Sequence, residues 1–109
     1  MTVDDIINEM NRRVVKNEVV TPASWLDSAQ RLNILADMEV DREIAGMEAC
    51  MVNAKVVLIK AGESAAKAEI LCTENIDYQR YRELKARRET ITEYIRLAKK
   101  RASLPRDIM

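Results

Sequence analysis

Histidine and phenylalanine are absent from this chain of 109 residues, and glycine, proline and cysteine occur only twice each. Without histidine there is no imidazole general base, no Ser-His or Cys-His nucleophile pair and no imidazole metal ligand. With so few turn-forming residues, a fold built from many hairpins is excluded. Charge of one sign is also lacking. The 18 Lys+Arg balance 18 Asp+Glu, whereas a duplex-binding domain is usually strongly basic. Long apolar runs are missing too. The longest, such as Val56-Val57-Leu58-Ile59, fall far short of the ~20 residues that span a bilayer. The opening Met-Thr-Val-Asp-Asp carries acids where a signal peptide carries bases. The expectation is a cytoplasmic protein with no membrane partner. Cys50 and Cys72 alone do not make a zinc site, and they are expected as free thiols that behave as small buried hydrophobes.

What is present is helical periodicity. A first helix is expected over residues 3–16. Thr2 serves as N-cap, Asp5 completes a capping box, and Val3, Ile6, Ile7, Met10 and Val14 form the apolar face, with Asn17 as the stop. The strongest start signal follows. Thr21 caps, Pro22 stands at N1, and Val20 can staple onto Trp25. No breaker except Gly46 then intervenes before Gly62, so a second helix is expected over 22–61. Its apolar stripe is Trp25, Ala29, Leu32, Ala36, Val40, Ile44, Met47, Met51, Ala54, Leu58 and Ala61. The steps follow a heptad except for an extra four-residue step between Ala36 and Ile44, which relaxes a left-handed supercoil. A third helix is expected over 64–103, capped by Ser64, kinked at Asn75 and ended at Leu104-Pro105. The fold class is therefore all-α: a short N-terminal helix followed by a long antiparallel hairpin of coiled-coil type.

Pairing about Gly62 places residue i near residue 124−i. In that register Gly46 faces Tyr78, and Cys50 and Cys72 become neighbours across the hairpin. The acidic run Asp37, Glu39, Asp41 and Glu43 lies beside the basic stretch that starts at Arg80. Residues 79–109 hold ten bases and four acids. Much of Arg80 to Arg88 is expected to be neutralised within the chain, which leaves Arg96, Lys99 and Lys100 beside Trp25 as the candidate ligand-binding set. Around Ile44 to Ala61 apolar residues spread well beyond one stripe. Ala45, Ala49, Val52, Val56 and Ile59 are the candidate interface of a homo-oligomer, because one neighbouring helix cannot cover so wide a surface.

The chemistry that remains is limited to carboxylates. Glu74-Asn75-Ile76-Asp77 supplies half of the paired-acid motif of helical magnesium-dependent nucleotide pyrophosphatases. Glu43 and Glu48 could complete it only out of pattern, so this stays a remote alternative. No catalytic residue, metal or cofactor is assigned. The runs Thr21-Pro22-Ala23-Ser24-Trp25-Leu26, Gly62-Glu63-Ser64, Tyr81-Arg82-Glu83-Leu84-Lys85 and Tyr94-Ile95-Arg96-Leu97-Ala98-Lys99-Lys100 resemble those of small helical phage and prophage proteins. The layout of one short and two long helices is also similar to phage cyclic-oligonucleotide sponges, although no family site maps residue by residue. The resemblance implies a non-enzymatic binder in the host cytoplasm that sequesters a phosphate-bearing cyclic nucleotide signal and so counters host defence. The alternative is a replication or recombination accessory that binds single-stranded nucleic acid or a protein partner.

Overall fold

Thr2 and Asp5 start the first helix as their spacing requires. The Asp5 N–H donates to the Thr2 hydroxyl (3.3 Å), and the Thr2 N–H donates to the Asp5 carboxylate (2.8 Å). That backbone bond, followed by the hydroxyl, holds the Asp5 carboxyl below its usual range. The structure is a computed structural model and describes residues 1–103; the expected stop at Leu104-Pro105, and Arg106 and Asp107 of the basic stretch, lie outside the described residues. Helix α1 (Val3–Val15) buries Val3, Ile6 and Met10, while Val14 stays exposed. It ends in a Schellman motif. Asn17 takes a left-handed φ of 51°, and the N–H groups of Asn17 and Glu18 return to the carbonyls of Val14 and Arg13.

Thr21 accepts from the Ser24 N–H and Pro22 opens the next helix. It runs without a break for 39 residues as α2 (Pro22–Ala36), a π-helical turn (Asp37–Asp41) and α3 (Arg42–Lys60). The π turn falls where the stripe takes its extra step. Three successive four-residue steps exceed three α-turns by about one residue, and the wider turn absorbs it. Ala36, Val40 and Ile44 therefore all stay buried. Gly62, at φ 97°, closes the helix with a second Schellman motif, in which Gly62 and Glu63 return N–H bonds to Ile59 and Leu58.

The return limb differs from the continuous third helix expected over 64–103. Ser64 caps a short α4 (Ala65–Leu71), a 3-10 turn follows over Cys72–Asn75, and Ile76 is extended. The Asp77 carboxylate then accepts from the Arg80 N–H and starts α5 (Tyr78–Ala102). Thr73 and Asp77 compete for backbone hydrogen bonds and so favour interruption and re-capping over a smooth kink.

Helix α5 lies antiparallel along α2, and α1 packs against both. Trp25, Ala29, Leu32, Ala36, Leu84, Ile91, Ile95 and Ala98 join the buried face of α1 in the core of this three-helix end. Beyond Ile44 the molecule thins to two layers, with α3 covered only by α4, the 3-10 turn and the start of α5. The result is a rod of 67 × 24 × 19 Å. Its radius of gyration is 19.6 Å, against about 13 Å for a globule of this length. Its accessible surface is 7542 Å², against about 6,200 Å² for a typical monomer of its mass. No helix among the described residues is long and apolar enough to cross a membrane.

Two expectations about the hairpin fail. Nothing lies within 4 Å of the position a Cβ would take on Gly46, so Tyr78 is not its packing partner. Cys72 is buried and Cys50 exposed, both as free thiols. Cys50 faces solvent beside Asn53 and Val57, so the expectation of two buried thiols fails for it. Because Gly46 has an ordinary helical φ and open space, Gly46→Ala is expected to stabilise the protein by about 0.5–1 kcal/mol. Chemical denaturation would measure this.

Candidate functional site

The acidic run of the π turn and the bases of α5 meet as the sequence implies. Arg88 pairs with Asp41 (2.9 Å) and Arg80 with Glu43 (3.2 Å). Arg87 bridges Asp4 (3.3 Å) and Glu39 (3.8 Å). Glu39 also accepts from the Val3 N–H (3.0 Å), which ties the start of α1 to the π turn. These partly exposed pairs fix register more than they add stability. They also occupy Arg80, Arg87 and Arg88, so this part of α5 is not an open basic strip.

The candidate ligand set is not gathered as expected. Trp25 is 5% exposed and belongs to the core. The Arg13 guanidinium lies over its ring, 5.4 Å from the centroid, and is itself held by Glu9 (2.8 Å) and the Ser28 hydroxyl (3.2 Å). The staple that starts α2 therefore leaves no indole face for a base to stack on. Arg96 is exposed and paired with Glu93. Lys99 and Lys100 are exposed in the last turn of α5, and among the described residues neither forms an ion pair.

A contribution from α1 was not visible in the sequence. Asn11 bonds Tyr94 (3.0 Å) and Asp4 pairs with Arg87, both at a separation of 83 residues, so α1 runs parallel to α5. That register brings exposed Arg12 and Lys16 level with Ile95 and Lys99. The end of the rod where α1 and α5 finish and α2 begins therefore carries Arg12, Lys16, Arg96, Lys99 and Lys100. The one usable signal was the position of Arg12 and Lys16 off the buried face of α1.

The four carboxylates of the pyrophosphatase reading are dispersed. Glu43 is held by Arg80 and Asp77 caps α5, while Glu74 is exposed. Glu48 accepts from the Tyr81 hydroxyl (2.9 Å) and pairs with Lys85 (3.6 Å). Its hydrogen bond pushes the Tyr81 phenol pKa up. Among the described residues no three acidic or cysteine side chains converge. Glu48 and Tyr81 instead line an open cleft of about 490 Å³ between α3, α4 and the start of α5, where Tyr78 stacks on Tyr81 at 5.9 Å.

The five candidate interface residues all lie uncovered. Ala45, Ala49, Val52, Val56 and Ile59 are exposed, Val52 at 60%. Helix α1 packs at the opposite end of the rod and covers none of them. On the other flank of α3, Val57 is also exposed, beside Cys50 and Asn53. The chain matches no family model, no curated protein and no solved structure.

Proposed function

We propose that this protein is a non-enzymatic binder that works as a homo-oligomer and holds a phosphate-bearing nucleotide, a cyclic signal in the reading taken from the sequence. The observation that carries it is the uncovered apolar stripe on α3, which a lone chain leaves in water. A contiguous apolar stripe left in water marks an interaction surface. The basic end supports the ligand class, since Arg12, Lys16, Lys99 and Lys100 supply charge-assisted donors for phosphate oxygens. The burial of Trp25 shifts the proposed site from an aromatic clamp to a purely cationic one. Recognition then rests on phosphate and not on base stacking. A sequestering role requires tight retention and no turnover, which suits a chain without histidine.

Thermal-shift measurements with cyclic di- and trinucleotides, run beside an oligonucleotide gel shift, test this reading. Stabilisation by a cyclic nucleotide is expected, and a combined Lys16→Ala, Lys99→Ala, Lys100→Ala variant should lose it while melting like the parent without ligand. No shift with any cyclic nucleotide, together with retention of single-stranded DNA, would support the accessory role. Magnesium-dependent release of pyrophosphate from nucleoside triphosphates would overturn both.

A further inference from the structure

The exposed stripe of α3 has a spacing of 4, 3, 4 and 3 residues from Ala45 to Ile59. That is a two-heptad seam, separate from the inward stripe that α4 covers. Two features of the seam specify its partner. The first is volume. The small residues, Ala45 and Ala49, lie toward the start of the seam, and the large ones, Val52, Val56 and Ile59, toward its end. A parallel second copy would set alanine against alanine at one end and isoleucine against isoleucine at the other. An antiparallel copy centred on Val52 sets Ala45 against the partner's Ile59 and Ala49 near the partner's Val56, so every layer has about the same volume.

The second feature is charge. Glu48 and Lys55 are seven residues apart, so they share one edge of the seam, while Asn53 and Lys60 lie along the other. Glu48 and Lys55 stay 46% and 36% exposed, and within the chain Glu48 already meets Tyr81 and Lys85 while Lys55 meets Glu69 at 3.2 Å, so a second copy shares or exchanges these partly exposed pairs. Antiparallel pairing about Val52 brings Glu48 beside the partner's Lys55, twice by symmetry. Parallel pairing would bring Lys55 beside the partner's Lys60 and leave Glu48 beside the partner's Asn53. Flanking charges of this kind set helix orientation.

From volume and charge together we infer that the uncovered face of α3 docks a second copy of this chain, antiparallel and centred on Val52, with Glu48 and Lys55 as the orientation-setting pair. The two thin hairpin ends then overlap as a four-helix centre, and the three-helix ends, with their basic termini, point outward in opposite directions. This rests on the self-association proposed above and adds its geometry.

Charge exchange tests it, with association constants measured by sedimentation and folding of each variant checked by circular dichroism. Glu48→Lys and Lys55→Glu are each expected to weaken self-association about tenfold, by turning two attractions into two repulsions. Mixed together, the two variants should associate as tightly as the parent, and the double exchange in one chain should recover parental affinity. If Lys55→Glu alone tightens the assembly, the copies run parallel and the inference is overturned. Parental affinity in every variant would place the interface elsewhere. A parent that stays monomeric at all concentrations would instead defeat the self-association reading itself.

Discussion

Trp25→Ala is expected to destabilise the protein by about 3–5 kcal/mol, the range for truncating a buried aromatic residue. A fall in melting temperature of at least about 10 °C would follow. The cost is large because the ring joins three elements. It staples the start of α2, packs in the core shared by α1, α2 and α5, and carries the Arg13 guanidinium on its face. Truncation opens a cavity and removes a cation–π contact at a half-buried arginine. For a single domain whose whole stability is on the order of 5–15 kcal/mol, that is a substantial fraction. Trp25→Phe should recover most of the loss. Circular dichroism melts decide the matter. If Trp25→Ala melted like the parent and lost only ligand binding, Trp25 would be a ligand contact and its assignment to the core would be wrong.

Val52→Lys is expected to have the opposite signature. Val52 is largely exposed within one chain, so the substitution should change protomer stability by no more than about 0.5 kcal/mol. In the proposed antiparallel pair the same position sits on the twofold axis. Two ammonium groups would be forced together in an apolar seam, at a cost of about 3 kcal/mol or more. Self-association should fall by more than a hundredfold, with helix content and melting of the separated chains unchanged. Loss of helix content in Val52→Lys would show instead that this face is needed for the fold of the single chain.

Local signals in the sequence carried the helix starts. Thr2, Thr21 and Ser64 are caps whose partners lie three residues away, so nothing distant is needed to recognise them. The π turn was present as one surplus residue in the stripe between Ala36 and Ile44, although the sequence showed only a phase change and not the backbone form that absorbs it. The break before α5 was located but its kind was missed, because weak helix formers such as Thr73 do not say whether a helix bends or stops. The candidate site was less legible. The pairing of the acidic run with Arg80, Arg87 and Arg88 follows from hairpin register. The placement of Arg12 and Lys16 depends on how α1 docks, and the bonds that fix it, Asn11 to Tyr94 and Asp4 to Arg87, join residues with no periodic relation. Trp25 was read as a ligand contact because register placed it near Lys99, whereas its ring is turned into the core and covered by Arg13.

In the proposed assembly the face of α3 from Ala45 to Ile59 is buried between copies of the chain. The mass of the parent protein in solution, measured by light scattering across a concentration series, tests this most directly. A particle of at least about 25 kDa, twice the 12.5 kDa of the chain, is expected, dissociating on dilution as one species into another. A particle of 12.5 kDa at every concentration would contradict it.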